Sequence, residues 1–202
     1  MAERRSHRPE HDDLADLADE ALASLARTDP RAVAVLYRRY LPAVFVFCER
    51  RLPTTEAAED ATSLVFTKAV AALPMYRDGG GSFRSWLFAI AMRVAIDAHR
   101  ARRPLTVLDA AFDVADVARW SAPAEETEHA DLVRAVHTAL TTLPPDQRAI
   151  VELRMAGLTG PEIAAVVGRS LASVKFAQFR AYQRLRELLA EPTYEEDRHA
   201  EP

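Results

Sequence analysis

Leu158-Thr159-Gly160-Pro161-Glu162-Ile163-Ala164-Ala165-Val166-Val167-Gly168-Arg169-Ser170-Leu171-Ala172-Ser173-Val174-Lys175-Phe176 decides how the rest of the chain is read, because it fits two short helices joined by a tight turn. Thr159 and Glu162 have the spacing of a capping box, in which the hydroxyl and the carboxylate each satisfy an amide left free at a helix start. Leu158 and Ile163 flank them as a hydrophobic staple. Ala164 is small where a second helix must cross, Gly168 permits a positive φ, and Ser170 can cap the next helix. Ile163, Val167, Leu171 and Val174 supply an apolar seam. An ordinary helical hairpin would need the same parts. Lys175, Gln178 and Arg180 on the second helix favour a helix-turn-helix, since these side chains suit phosphates and base edges.

The chain has 202 residues, enough for one or two domains, and its apolar fraction of 49% can fill a core. Its apolar runs are too short to span a bilayer, and the start of the chain leads into acidic sequence rather than a signal-peptide core, so a cytoplasmic protein without membrane insertion is expected. Cys48 is the single cysteine, which excludes an internal disulfide and a paired-cysteine zinc site; packing is its expected role.

A net charge of −4 hides a strong segregation. Residues 1–29 carry −4, residues 104–131 carry −6 and residues 187–202 carry −5, whereas residues 30–103 carry +6 and residues 132–186 carry +5. Two basic modules are thus flanked and joined by acidic segments. Clustered basic residues are what releases counterions from DNA.

Apolar residues recur at spacings of three and four with no sustained strand alternation, so the expected fold is all-α. Asp29-Pro30 starts a helix with Val33, Leu36, Tyr37, Tyr40, Val44 and Phe47 on one face, which Pro42 should bend or divide. A second helix is expected from Thr55 to Leu73, with Ala58, Ala61, Val65, Phe66 and Ala69 inward. Ser82 should cap a third, buried along Phe83, Trp86, Leu87, Ile90 and Val94 up to an Arg-rich end. Residues 105–126 read as an acidic linker with at most a short helix around Leu108 to Val117. From about Thr127, a helix with Leu132, Val136 and Leu140 and another with Ile150 and Leu153 precede the helix-turn-helix; Gly157 is the expected C-cap between them. The expected architecture is two small helical domains joined by an acidic linker, residues 28–104 and 127–190, the second a four-helix unit. Residues 1–27 form an acidic extension and 191–202 a polar tail.

The residues themselves then resemble a family. Ala58-Glu59-Asp60-Ala61-Thr62, Val65-Phe66-Thr67-Lys68-Ala69, Phe83-Arg84-Ser85-Trp86-Leu87-Phe88-Ala89-Ile90-Ala91 and the Arg-rich helix end resemble region 2 of bacterial sigma factors of the extracytoplasmic-function (ECF) subgroup. Leu143-Pro144-Pro145-Asp146-Gln147-Arg148, Leu158-Thr159, Glu162-Ile163-Ala164 and Ser173-Val174-Lys175 resemble region 4, in the expected order. The resemblance implies a promoter-specificity subunit of RNA polymerase, with core polymerase, promoter DNA and an anti-sigma factor as partners and no small-molecule substrate, cofactor or metal. The first domain would dock on the polymerase clamp and melt the −10 element; the second would dock on the flap and read the −35 element.

Carried onto this chain, clamp contacts fall at Glu59, Asp60, Thr62, Ser63 and Phe66. A solvated acidic helix start would explain the two acids equally well on sequence alone. The −10 face falls on Tyr76, Arg77, Phe83, Arg84, Arg93, Arg100, Arg102 and Arg103, where arginines follow the backbone and Tyr76 or Phe83 stacks a base unless the ring is core. The −35 face falls on Arg169, Ser170, Ala172, Ser173, Lys175, Phe176, Gln178, Phe179 and Arg180. Gly79-Gly80-Gly81 lacks the Lys-Ser/Thr and the strand of a P-loop and reads as a flexible turn. The acidic linker either threads toward the polymerase active centre as a nucleic-acid mimic or is a plain solvated connection.

Met92-Arg93 stands where an Arg-Asn pair is usual in the family, Ala57 replaces a common acid, Gly160 a frequent aromatic or polar residue, and Arg169 an apolar turn position, from which it can reach a phosphate. Phe176 and Phe179 are unusually aromatic for a DNA-facing helix; one is expected to pack inward and the other to meet a thymine methyl or a protein. Two other classes compete with a sigma factor: a stand-alone regulator using only the helix-turn-helix, and a sigma-like chain that titrates an anti-sigma factor. An enzyme is not expected, because the six histidines have no metal or catalytic spacing.

Overall fold

A computed structural model describes residues 14–77, 81–101 and 128–190, the last stretch as backbone alone over 128–134. Among the described residues the chain is helical, without strands. The first unit comprises α1 (Asp19–Leu25), α2 (Pro30–Glu49), α3 (Thr55–Ala72), a 3₁₀ turn (Leu73–Met75) and α4 (Phe83–Ala101). The second comprises α5 (Glu128–Thr141), α6 (Pro145–Met155), α7 (Gly160–Val167) and α8 (Leu171–Ala190), four helices as the sequence implies.

Local chemistry sets each start. Asp29 caps α2 by accepting from the Arg31 amide at 3.0 Å, Thr54 caps α3 through the Ala57 amide at 3.2 Å, and Ser82 caps α4 through the Ser85 amide at 3.1 Å. α2 runs through Pro42 undivided. Tyr40, Val44 and Phe47 continue its buried stripe on both sides of the proline, and that packing offsets the lost backbone bond. Around them Phe47 meets Phe88 edge-on, with centroids 5.5 Å apart. Cys48 is buried as a packing residue, and burial pushes its thiol pKa up.

Residues 1–27 are not all an appendage. Leu14 and Leu22 are fully buried, and Arg39 donates to the carbonyls of Leu17 and Ala15 at 3.1 and 2.8 Å. Leu14, Leu22, Ala23 and Ala26 give the segment an apolar face that the first unit covers, whatever its net charge.

The two units touch. α4 packs against α7, and Ile150, Leu153, Leu158, Ile163 and Val174 of the second unit join the core of the first. Leu140, Leu143, Val151 and Ala181 form a separate small core within the second. The expected linker at 105–126, Arg102, Arg103, the Leu132 side chain, Gly79-Gly80 and the polar tail lie outside the described residues.

Candidate nucleic-acid interface

The helix-turn-helix closes as its sequence chemistry demands. Thr159 and Glu162 form a complete capping box at the start of α7, while Leu158 and Ile163 are both fully buried. Gly168 ends α7 in the left-handed region at φ 65°, and Ser170 caps α8 by accepting from the Ser173 amide at 3.2 Å. A Cβ at Gly168 would meet nothing within 4 Å, so its substitution costs backbone strain alone. Gly168→Ala should therefore lower stability by about 1 kcal/mol, read as a shift in the urea midpoint at constant slope; a cost near zero would mean the turn relaxes to another geometry. Gly160 has an ordinary negative φ and a close side-chain neighbour instead. A Cβ there would lie 3.0 Å from Leu171 Cδ1, so a larger residue would require the half-exposed Leu171 side chain to shift by a few tenths of an ångström.

Val174, Ala177 and Ala181 are the buried stripe of α8. At about 100° per residue, positions 176 and 179 point to the opposite side. Phe176 and Phe179 are accordingly 62% and 59% exposed, so neither packs inward as expected of one of them. Leu171 is also more exposed than a seam residue, at 37%. Ala172, Ser173, Lys175 and Arg180 share the exposed side, with the Arg180 guanidinium 5.2 Å from the Phe176 ring centroid.

Gln178 and Arg169 already have partners. Gln178 accepts from Arg154 at 3.3 Å and donates to the Tyr182 hydroxyl at 3.0 Å, so both ends of its amide are occupied. Arg154 donates also to the Leu158 carbonyl at 3.0 Å, joining α6, the turn and α8. It is a residue that spacing did not single out, because its side-chain partner Gln178 lies on a different helix. Arg169 pairs with Asp146 at 2.9 Å, both half exposed, a contact worth little and easily traded for a phosphate.

In the first unit the expected −10 residues divide. Arg77, Arg93 and Arg100 are exposed and free of core packing. Tyr76 and Phe83 are 4% and 3% exposed, which removes both as stacking faces: their rings pack on each other at 5.7 Å and against Trp86 at 5.1 and 5.4 Å. Trp86 covers them and is only half-buried, so it is the aromatic of this group that reaches the surface. Arg84 lies over the Tyr40 ring at 5.9 Å and donates to the Gly157 carbonyl at 2.8 Å. Beside it Ser82 donates to Glu162. Burial disfavours the Glu162 carboxylate, but Ser82, the amide and hydroxyl of Thr159 and the charge of Arg84 outweigh it and hold its pKa below the usual value.

On α3, Glu59, Asp60 and Ser63 are exposed together. Thr62 is not with them. It is 4% exposed and donates to the Ala58 carbonyl at 2.7 Å, which makes it a packing residue rather than a contact. Phe66 is half-buried against Tyr37, 4.6 Å between centroids, and Leu64 is 45% exposed next to the acids.

A capped helix-turn-helix with a basic and aromatic outer face, joined to a second basic helical unit, defines a two-unit DNA-binding protein. Residues 36–104 match sigma-70 region 2 and residues 133–185 match sigma-70 region 4. The ECF RNA polymerase sigma factor SigD of Mycobacterium tuberculosis is 35% identical over 178 residues, covering 84% of this chain and 82% of SigD. The RNA polymerase sigma factor CarQ of Myxococcus xanthus is 32% identical over 157 residues, 77% of this chain and 88% of CarQ. A solved structure of CnrH in complex with the cytosolic domain of CnrY is 26% identical and superposes with a TM-score of 0.65 over 85% of this chain and 96% of that one. The chain belongs to the ECF sigma factors of the sigma-70 family, which are transcription initiation proteins rather than catalysts. Among the described residues no helix is long and apolar enough to cross a membrane.

Proposed function

We propose that this chain, as a sigma factor acting in the cytoplasm without an enzymatic activity of its own, docks on core RNA polymerase through Glu59, Asp60, Ser63, Leu64 and Phe66 and reads the −35 element with the exposed side of α8. Ala172, Ser173, Lys175, Phe176 and Arg180 are the reading residues. The observation that carries this is the exposed face of α8, where two large apolar rings and two cations stand in solvent at the start of a well-capped helix. Exposed aromatic surface of that size marks a contact to be covered. Phe176 is placed to meet a thymine methyl, and Lys175 and Arg180 a phosphate or a guanine edge. Gln178, held by Arg154 and Tyr182, positions the helix rather than reading a base. At the −10 element, Arg77, Arg93 and Arg100 follow the backbone of the opened strand, and Trp86 offers the stacking face in place of Tyr76 and Phe83. As with CnrH, which is seen with the cytosolic domain of CnrY, an anti-sigma protein is the expected inhibitory partner.

Run-off transcription with purified core polymerase on a promoter library tests this reading. Core binding together with transcription from a defined promoter class is expected. Duplex binding without core polymerase would instead indicate a stand-alone regulator, and core-independent binding of an anti-sigma protein with no transcription a titrating decoy; either would overturn the proposal.

A further inference from the structure

α1 precedes the stretch that matches sigma-70 region 2, which begins at residue 36, yet both ends of α1 reach the aromatic group of the −10 unit. At its start Asp19 accepts from the Tyr40 hydroxyl, and the Tyr40 ring packs on Phe83 with centroids 5.6 Å apart. Just past its end Arg27 donates to the main-chain carbonyl of Tyr76, 49 positions away. Burial already fastens the segment, because Leu14, Leu22, Ala23 and Ala26 are covered and Arg39 holds the carbonyls of Leu17 and Ala15. Arg27 adds little to that: it is itself exposed, while the residue its guanidinium reaches is 4% exposed.

We propose that Arg27 is a positioning residue for strand opening, which fixes the Tyr76 carbonyl and so aims Arg77 and the Tyr76, Phe83 and Trp86 rings at the opened −10 strand. The inference rests on the sigma-factor reading, and it adds α1 to a face that the family match leaves out.

Tyr76 closes the 3₁₀ turn with its amide bonded to the Leu73 carbonyl at 3.1 Å, and its own backbone is extended at ψ 133°. The Tyr76 carbonyl and the Arg77 amide are two halves of one planar peptide. A donor on the carbonyl therefore sets the rotation of that plane, the direction in which Arg77 leaves it and the seat of the Tyr76 ring. That ring packs on Phe83 and Trp86, 5.7 and 5.1 Å between centroids, and Trp86 is the half-buried member that can offer a base its face. A stacking face that must be ordered on contact loses part of its binding free energy to that ordering, whereas one held beforehand does not. Arginine suits the task, because its charge strengthens a bond to a neutral carbonyl and its rigid fork holds a direction.

The test uses the full chain with Trp120→Phe, which leaves Trp86 as its one tryptophan, and a single-stranded oligonucleotide carrying the −10 sequence of a promoter it transcribes. In the parent, binding should quench Trp86 emission as a base stacks on the ring. Arg27→Met keeps the stem and removes the donors; it should bind the strand about tenfold more weakly, within what one stacked base is worth, and quench less at saturation, at unchanged helical content. Arg27→Lys should recover most of the affinity. The slope of log binding constant against log salt should match the parent, because Arg27 acts on the face and touches no phosphate. With core polymerase, Arg27→Met should initiate about tenfold more slowly on duplex promoters, yet within about twofold of the parent on a template whose −10 element is mismatched and already open. Tyr40→Phe removes the hydroxyl held by Asp19 and keeps the ring; it should weaken strand binding in the same direction, and it decides the matter if Arg27→Met loses helix. Parent-like binding and quenching in Arg27→Met would overturn the proposal, as would a salt slope flattened by about 1, which would make Arg27 itself a phosphate contact. A parent that transcribes without any quenching of Trp86 would remove the stacking face and the proposal with it. A parent that directs no transcription at all would instead strike the sigma-factor reading, and the inference falls with that reading.

Discussion

Phe88→Ala should destabilise the chain by about 3 to 5 kcal/mol, the largest loss expected from any single truncation in the first unit. Phe88 is fully buried on α4, and its ring meets Phe47 of α2 edge-on, so the substitution forfeits three things at once. Apolar transfer alone accounts for about 2 to 3 kcal/mol. The lost ring pair adds about 1 kcal/mol, and the cavity left between α2 and α4 adds more because helices on both sides are fixed by their own caps and cannot close over it. By comparison, removing the Thr159 cap by Thr159→Ala should cost about 1 kcal/mol, since water can replace an exposed helix-end partner. A domain of this size has about 5 to 15 kcal/mol in hand, so Phe88→Ala consumes much of it. Urea denaturation followed by circular dichroism should show a lower midpoint with the same slope. Because Ile150, Leu153, Leu158, Ile163 and Val174 of the second unit share the core around Phe88, one cooperative transition at the lower midpoint is expected. A loss under 1 kcal/mol would mean that Phe88 does not hold α2 and α4 together.

The helix-turn-helix was the most legible part of the sequence because each of its determinants acts within three or four residues. Thr159 with Glu162, Gly168 and Ser170 all adopt the geometry their spacing implies. The same local logic gave the starts of α2, α3 and α4. Docking between units was not legible. Residues 149–153 are buried on every side, because one face of α6 packs in its own unit and the other against the first; a stripe read from Ile150 and Leu153 sees only half of that. Glu152 looks like a solvent residue in sequence and is the most enclosed charge in the described chain, since its partner Arg51 is about a hundred positions away. Tyr76 and Phe83 show the limit for the site itself. Aromatic residues beside arginines fit both a stacking platform and a core, and only the packing of Trp86 over them decides which. For Phe176 and Phe179 the seam at Val174, Ala177 and Ala181 already fixes the outer face, and helical phase alone suffices to place both rings outward. The acidic N-terminal segment misled through its net charge, which says nothing about the apolar face carried by Leu14 and Leu22.

Lys175→Ala combined with Arg180→Ala should lower transcription from −35-dependent promoters roughly a hundredfold while core-polymerase affinity stays within about twofold. Both side chains are exposed on α8, away from the buried stripe, so their removal leaves no cavity and no unpaired buried group. Arg180 is occupied in the free chain by the Phe176 ring, but an exposed cation–π contact is worth about 0.5 to 1 kcal/mol. A bidentate contact to a guanine is worth about 1 to 3 kcal/mol, so the arginine should leave the ring for the base. Lys175, a point charge on a flexible stem, is more suited to a phosphate. The salt dependence separates these roles: losing a phosphate contact should flatten the slope of log binding constant against log salt by about 1, whereas losing a base contact should relax sequence preference and leave that slope nearly unchanged. Single substitutions measured at several salt concentrations on promoters varied through the −35 element therefore assign each residue. Phe176→Ala supplies the remaining comparison, since it removes the ring that Arg180 rests on without removing a charge. It should cost preference at one thymine and leave the salt slope unaltered. If core affinity falls in step with transcription in the double variant, the outer face of α8 is a polymerase surface, and the −35 assignment of Lys175 and Arg180 is wrong.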